Sequence, residues 1–179
     1  GRANLTIIQF DHRYNIVVQA HRLDQPSDPY EYTLVPSGST ALLDAVGRAM
    51  SETKDRLDKV SEQPGLVVFV IVTDGKENAS REFNRKQIRK LMDECRERKW
   101  EFTFLCEDEE TFQEAESWGV AADAMEVATS GNVGAVYAAA TSNVSRMRGA
   151  VAKGQAVVNS YTDEEREAMK GTSDASDSK

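Results

Sequence analysis

Two short segments hold oxygen-bearing side chains of the kind a hard cation needs. The first, Pro36-Ser-Gly-Ser-Thr-Ala-Leu-Leu-Asp-Ala45, places Ser37, Gly38, Ser39 and Thr40 just ahead of an apolar helical stripe. The second, Val72-Thr-Asp-Gly-Lys-Glu-Asn78, ends an apolar run with Thr73, Asp74 and Gly75. Mg²⁺ demands octahedral oxygen ligation at about 2.1 Å and usually takes one or two carboxylates while keeping water or a ligand oxygen. A hydroxyl from Thr40 and a carboxylate from Asp74 meet that demand, with the other residues shaping the two loops. Both residues also have a plainer role. Ser39 or Thr40 suits the N-cap of the following helix, and Asp74 with Gly75 suits a tight turn.

The elements that must position these loops follow from periodicity. Asn4 to Phe10 and Tyr14 to Ala20 are rich in β-branched and aromatic residues and flank a polar turn at Asp11 and His12, which predicts an antiparallel hairpin. From His21 to Ser39 the chain is polar and broken by Pro26, Pro29 and Pro36, the pattern of a surface connection. Leu43, Val46, Met50, Leu57 and Val60 then recur at helical spacing. Leu66 to Val72 is apolar without alternation, as expected of a central parallel strand covered on both faces.

A second helix carries Ile88, Leu91, Met92 and Cys95 on one side. Trp100 to Cys106 reads as a strand, about Glu109 to Trp118 as a helix, and Ala124 to Ala128 as a short edge strand. Val133, Val136, Tyr137, Ala140, Val144 and Met147 share one face of a closing helix. Strands alternating with helices on short connections imply a Rossmann-like α/β fold. Its sheet is open and mostly parallel, with helices on both faces and an antiparallel edge hairpin. Residues 1–153 form this domain. In residues 154–179, Thr162-Asp-Glu-Glu165 is a capping box for one short helix, and Gly171 to Lys179 is a Ser/Asp tail expected to be disordered.

In open α/β sheets, ligands bind outside the carboxyl ends of the strands, where both oxygen-bearing loops fall. Those loops carry a resemblance to the von Willebrand factor A (VWA, or vWFA) family. The glycine turn followed by Thr40 resembles its second metal loop, and the strand ending in Thr73-Asp74-Gly75 resembles its third. The resemblance implies a metal-ion-dependent adhesion site for Mg²⁺ or Mn²⁺, present here only in part at Thr40 and Asp74 and completed in the whole protein by an upstream loop. It implies a noncatalytic protein-interaction module whose partner offers an acidic group. The family's Asp-x-Ser-x-Ser loop, which follows a first central strand, has no counterpart before Asn4; Asp174-Ala-Ser176 has the spacing but sits in the polar tail. On the family's strand order, a strand is missing between the hairpin and the Leu66 to Val72 strand. A parent protein longer by about 30 to 45 upstream residues is expected, with strand donation by another chain as the alternative.

Composition narrows the partners. At 179 residues, with a formal charge of −8, the chain does not suit nonspecific nucleic-acid binding, which depends on Lys and Arg neutralising phosphates. No apolar run approaches the roughly 20 residues of a membrane span. The first residues lack a secretory pattern, and Cys95 and Cys106 alone make no disulfide framework, so a cytoplasmic, reducing setting of bacterial or phage type is expected. The acidic run Glu107-Asp-Glu-Glu110 suits a helix start. His12 and His21 are isolated and read as solvent-facing loop residues. No phosphate loop, dinucleotide fingerprint or nucleophile with its base is present, so no enzymatic activity is expected. A metal-free structural or assembly subunit, homo-oligomeric through an open sheet edge, is the second reading.

Overall fold

The apolar run that leads into the second loop extends because it is β-branched and aromatic throughout. It forms Val67–Thr73 in a computed structural model that describes residues 2–25 and 38–170. Along the chain come β1 Asn4–Phe10, β2 Tyr14–Arg22, α1 Leu42–Leu57, β3 Val67–Thr73, α2 Arg85–Glu97 and β4 Trp100–Cys106. There follow α3 Glu109–Ser117, β5 Met125–Val127, α4 Val133–Ala152 and α5 Asp163–Met169. β1 and β2 pair antiparallel; β3, β4 and β5 form a parallel sheet in that order. The protein is α/β, and its alternation of strands and helices is compatible with a Rossmann-like arrangement.

Side chains on β4 alternate between two layers. Phe102, Phe104 and Cys106 enter a core with Leu42, Val46 and Met50 of α1, Ile88 and Met92 of α2, and Ala115 of α3. Leu105 faces the opposite layer, with Val136, Ala139 and Ala140 of α4, Tyr161 and Met169. Helices therefore cover both faces of the parallel sheet at β4. Phe104 meets Trp118 edge to face, with centroids 5.6 Å apart, a geometry that contributes about 0.5–1.5 kcal/mol beyond area burial.

Local chemistry fixes the helix starts. Asn84 and Gln87 form a reciprocal capping box on α2. Asp108 caps α3 by accepting from the Thr111 amide at 2.9 Å, with Glu109 and Glu110 in the first turn, as the acidic run implied. The Thr162 and Glu165 capping box forms on α5 as expected from sequence. The Asn159 amide donates to the Phe102 carbonyl at 2.9 Å and its oxygen accepts from Asn143 at 2.8 Å. This ties the segment between α4 and α5 onto β4. Asn143 is fully buried.

Several expectations are corrected. The Val67–Thr73 strand is not central: among the described residues it is an edge of its sheet, and it is not covered on both faces. Val70 and Val72 are 46% and 42% exposed, while their register partners Thr103 and Leu105, on the same face, are 0% and 1% exposed. The cover that α4 gives Leu105 does not extend to β3. Val60 lies beyond the end of α1 and is exposed, as are Val133 and Tyr137 at the start of α4. β2 continues two residues past Ala20, so His21 is a half-buried strand residue rather than a loop residue. Both cysteines are free and buried, and burial pushes the thiols up to about 11 for Cys95 and about 12 for Cys106. Such thiols are unreactive at neutral pH. Among the described residues no helix is long and apolar enough to cross a membrane. The expected tail, Gly171 to Lys179, lies outside the described residues.

Candidate metal centre

Helix α1 starts without a side-chain cap of its own. Its N-cap residue is Ala41, so neither Ser39 nor Thr40 fills that role. The orphan amides of a helix start still need acceptors, and the chain after β3 supplies two of them. Glu77 Oε2 accepts from the Leu43 amide at 2.9 Å and Ser80 Oγ from the Asp44 amide at 3.0 Å. The Ala41 amide donates to the Asp11 carbonyl, at the end of β1, at 2.8 Å. The first turn of α1 is thus held at the carboxyl ends of both β1 and β3.

The clamp is reciprocal. The Asp44 carboxylate accepts from the backbone amides of Arg81, Glu82 and Phe83 at 2.8, 2.9 and 2.8 Å. Burial pushes its pKa upward, but these three donors outweigh that effect and hold it below the usual carboxylate value. Beside it, Gly47 lets Phe83 pack flat on α1: a Cβ there would lie 2.5 Å from the ring. Arg48 pairs with Glu82 across the same seam.

Within this frame Thr40 and the Asp74 turn come together. The Thr40 amide donates to Asn78 Oδ1 at 2.8 Å, and its carbonyl accepts from the amides of Asn78 and Ala79 at 3.1 and 3.2 Å. Thr40 Oγ1 then lies against Gly75 so closely that a Cβ on Gly75 would sit 2.5 Å from it. The turn itself is tied by Thr73, whose buried hydroxyl donates to the Gly75 carbonyl at 2.9 Å and accepts from its amide at 3.2 Å. Thr73, not Asp74, therefore makes the hydrogen bonds that close the turn. Lys76 pairs with Glu110 and so has its charge drawn toward α3.

Two oxygen groups remain uncommitted. Thr40 Oγ1 and the exposed Asp74 carboxylate take no hydrogen bond or ion pair among the described residues. Ser39 is half-buried, Gly38 has nothing within 4 Å of an added Cβ, and Ser37 lies outside the described residues. No group of three or more His, Cys, Asp or Glu able to hold a metal occurs among the described residues. A hydroxyl and one carboxylate fit a hard cation as two of its ligands, with the remaining positions left to water or to another molecule. Two depressions of about 20 and 440 Å³ lie under the hairpin and beside Phe83, and neither is lined by Thr40 or Asp74.

Sequence reasoning did not assign roles to Asp44, Glu77, Asn78 or Ser80. Their signal is faint: an acid at the third position of an otherwise apolar helix start, and a run of hydrogen-bonding residues after a strand. Family models, curated proteins and solved structures contain no match to the chain. The fold and the paired loops define the class: an α/β chain carrying a polar, solvent-open junction at the carboxyl ends of β1 and β3.

Proposed function

We propose that this chain is a noncatalytic protein-interaction module of the von Willebrand factor A type, binding Mg²⁺ or Mn²⁺ through Thr40 Oγ1 and the Asp74 carboxylate. The observation that carries the reading is the close approach of Thr40 Oγ1 to Gly75, the residue after Asp74, with neither the hydroxyl nor the Asp74 carboxylate hydrogen-bonded among the described residues. The bound cation would supply a Lewis-acidic attachment point for an anionic group. Thr40 and Asp74 leave most of an octahedral shell open, which suits an acidic side chain from a protein partner. The two buried free thiols suit a reducing compartment such as the cytoplasm. Calorimetric titration with Mn²⁺ tests the reading. One-to-one binding by the parent and none by a folded Asp74→Ala variant is the expected result; equal binding by both removes the assignment.

A second reading, a metal-free assembly subunit, is favoured by one observation: β3 has no strand on its outer edge among the described residues, and its Val70 and Val72 are exposed. Exposed strand edges pair readily with other chains. Concentration-dependent association in light scattering that a chelator leaves unchanged would support this second reading over the first.

A further inference from the structure

Asp74 and Asn78 are separated by a short turn, and Thr40 is anchored to the far end of it. Three hydrogen bonds fix the Thr40 backbone: its amide to Asn78 Oδ1, and its carbonyl from the amides of Asn78 and Ala79. A threonine has few χ1 choices once its backbone is fixed. Holding the Thr40 peptide therefore also aims Oγ1 at Gly75, next to Asp74.

Glu77 completes the arrangement without offering anything to a ligand. Its Oε1 accepts from the amides of Ala79 and Ser80 at 3.0 and 2.8 Å, and its Oε2 from the Leu43 amide and Ser80 Oγ at 2.9 and 2.7 Å. An ionised carboxylate has about four lone-pair sites, and here all are taken. Glu77 is thus spent on internal donors, although it is only three residues from Asp74.

We infer that Asn78 and Glu77 are positioning residues: Asn78 sets Thr40 Oγ1 against the Asp74 turn, and Glu77 locks that turn onto α1. The effect on cation affinity rests on the reading of Thr40 and Asp74 given above; the effect on geometry does not. The test is nuclear magnetic resonance on the full 179-residue chain, following the cross-peak between the Thr40 side chain and the Gly75 α protons. Asn78→Ala is expected to abolish it and to speed exchange of the Thr40 amide by about tenfold, the factor that one lost hydrogen bond represents. Contacts between Phe104 and Trp118 should be unchanged. Asn78→Asp, which keeps the acceptor oxygen, should retain the cross-peak and the slow exchange. Should Asn78→Ala unfold, Glu77→Gln, which replaces one acceptor oxygen by a donor, is expected to show the same local loss.

Mn²⁺ titration of the same samples adds the functional readout: about tenfold weaker binding in Asn78→Ala at an unchanged core, with recovery in Asn78→Asp. A cross-peak and amide exchange unaltered in both Asn78→Ala and Glu77→Gln would overturn the inference. A parent that shows the local losses on mutation yet binds no Mn²⁺ would leave the positioning role standing and remove the cation site instead.

Discussion

Gly75 is where the two loops touch, and its lack of a side chain is a spatial requirement rather than a conformational one. A Cβ would meet Thr40 Oγ1 at 2.5 Å, closer than nonbonded atoms allow. Gly75→Ala is therefore expected to push Thr40 away and to destabilise the protein by about 1–3 kcal/mol, the usual range for overpacking. Gly38→Ala, with nothing within 4 Å of the new atom, should stay within about 0.5 kcal/mol. Chemical denaturation of the two variants checks the contrast. Asp44 makes a second expectation at this scale, and its sign follows from linkage. Its carboxyl is held below its unfolded value of about 3.9 by three backbone donors acting against burial. Its contribution is present above the unfolded value and is lost as pH falls through the folded one. In denaturation between neutrality and about pH 3, Asp44→Asn should start less stable and decline less steeply than the parent. An equal decline in both would remove Asp44 from the acid response.

At the scale of elements, periodicity reported apolar composition faithfully and coverage poorly. The strands Asn4–Phe10 and Trp100–Cys106 have the bounds read from sequence, because β-branched and aromatic runs leave little choice of conformation. The Val67–Thr73 strand shows the opposite case. Seven apolar or β-branched residues suggest two covered faces, yet whether a neighbour exists is a property of the rest of the sheet, and no such neighbour occurs on one side among the described residues. Val60 falls outside α1, and Val133 and Tyr137 lie on α4 but exposed, for the same reason, since helical spacing does not say where a helix ends or what faces it. The two sides of β3 should respond differently to substitution. Val72→Lys is expected to cost less than about 1 kcal/mol and to reduce association, because Val72 is already 42% exposed and edge lysines discourage strand pairing. Ile71→Ala should cost about 2–5 kcal/mol, because Ile71 is buried against the α1 and α2 layer. Denaturation with light scattering on the same samples reads both effects.

At the scale of the whole molecule, the chain brings together two loops that are more than thirty residues apart, as the Thr40 to Asn78 separation of 38 shows. The two loops of the candidate site were legible as an expectation, since Thr40 and Asp74 carry the oxygens that a hard cation asks for. What holds them was not. The Asp44, Glu77, Asn78 and Ser80 bonds cross from the start of α1 to the chain after β3, and no local pattern marks such a pairing. Thr40 and Asp74 are proposed to face one point where a divalent cation binds, and paramagnetic broadening by Mn²⁺ tests this most directly. Substoichiometric Mn²⁺ added to the labelled chain should broaden the resonances of Thr40, Asp74 and Gly75 first, with no such effect in Asp74→Ala. Broadening centred on Glu107 to Glu110, or none at saturating Mn²⁺, would contradict the account.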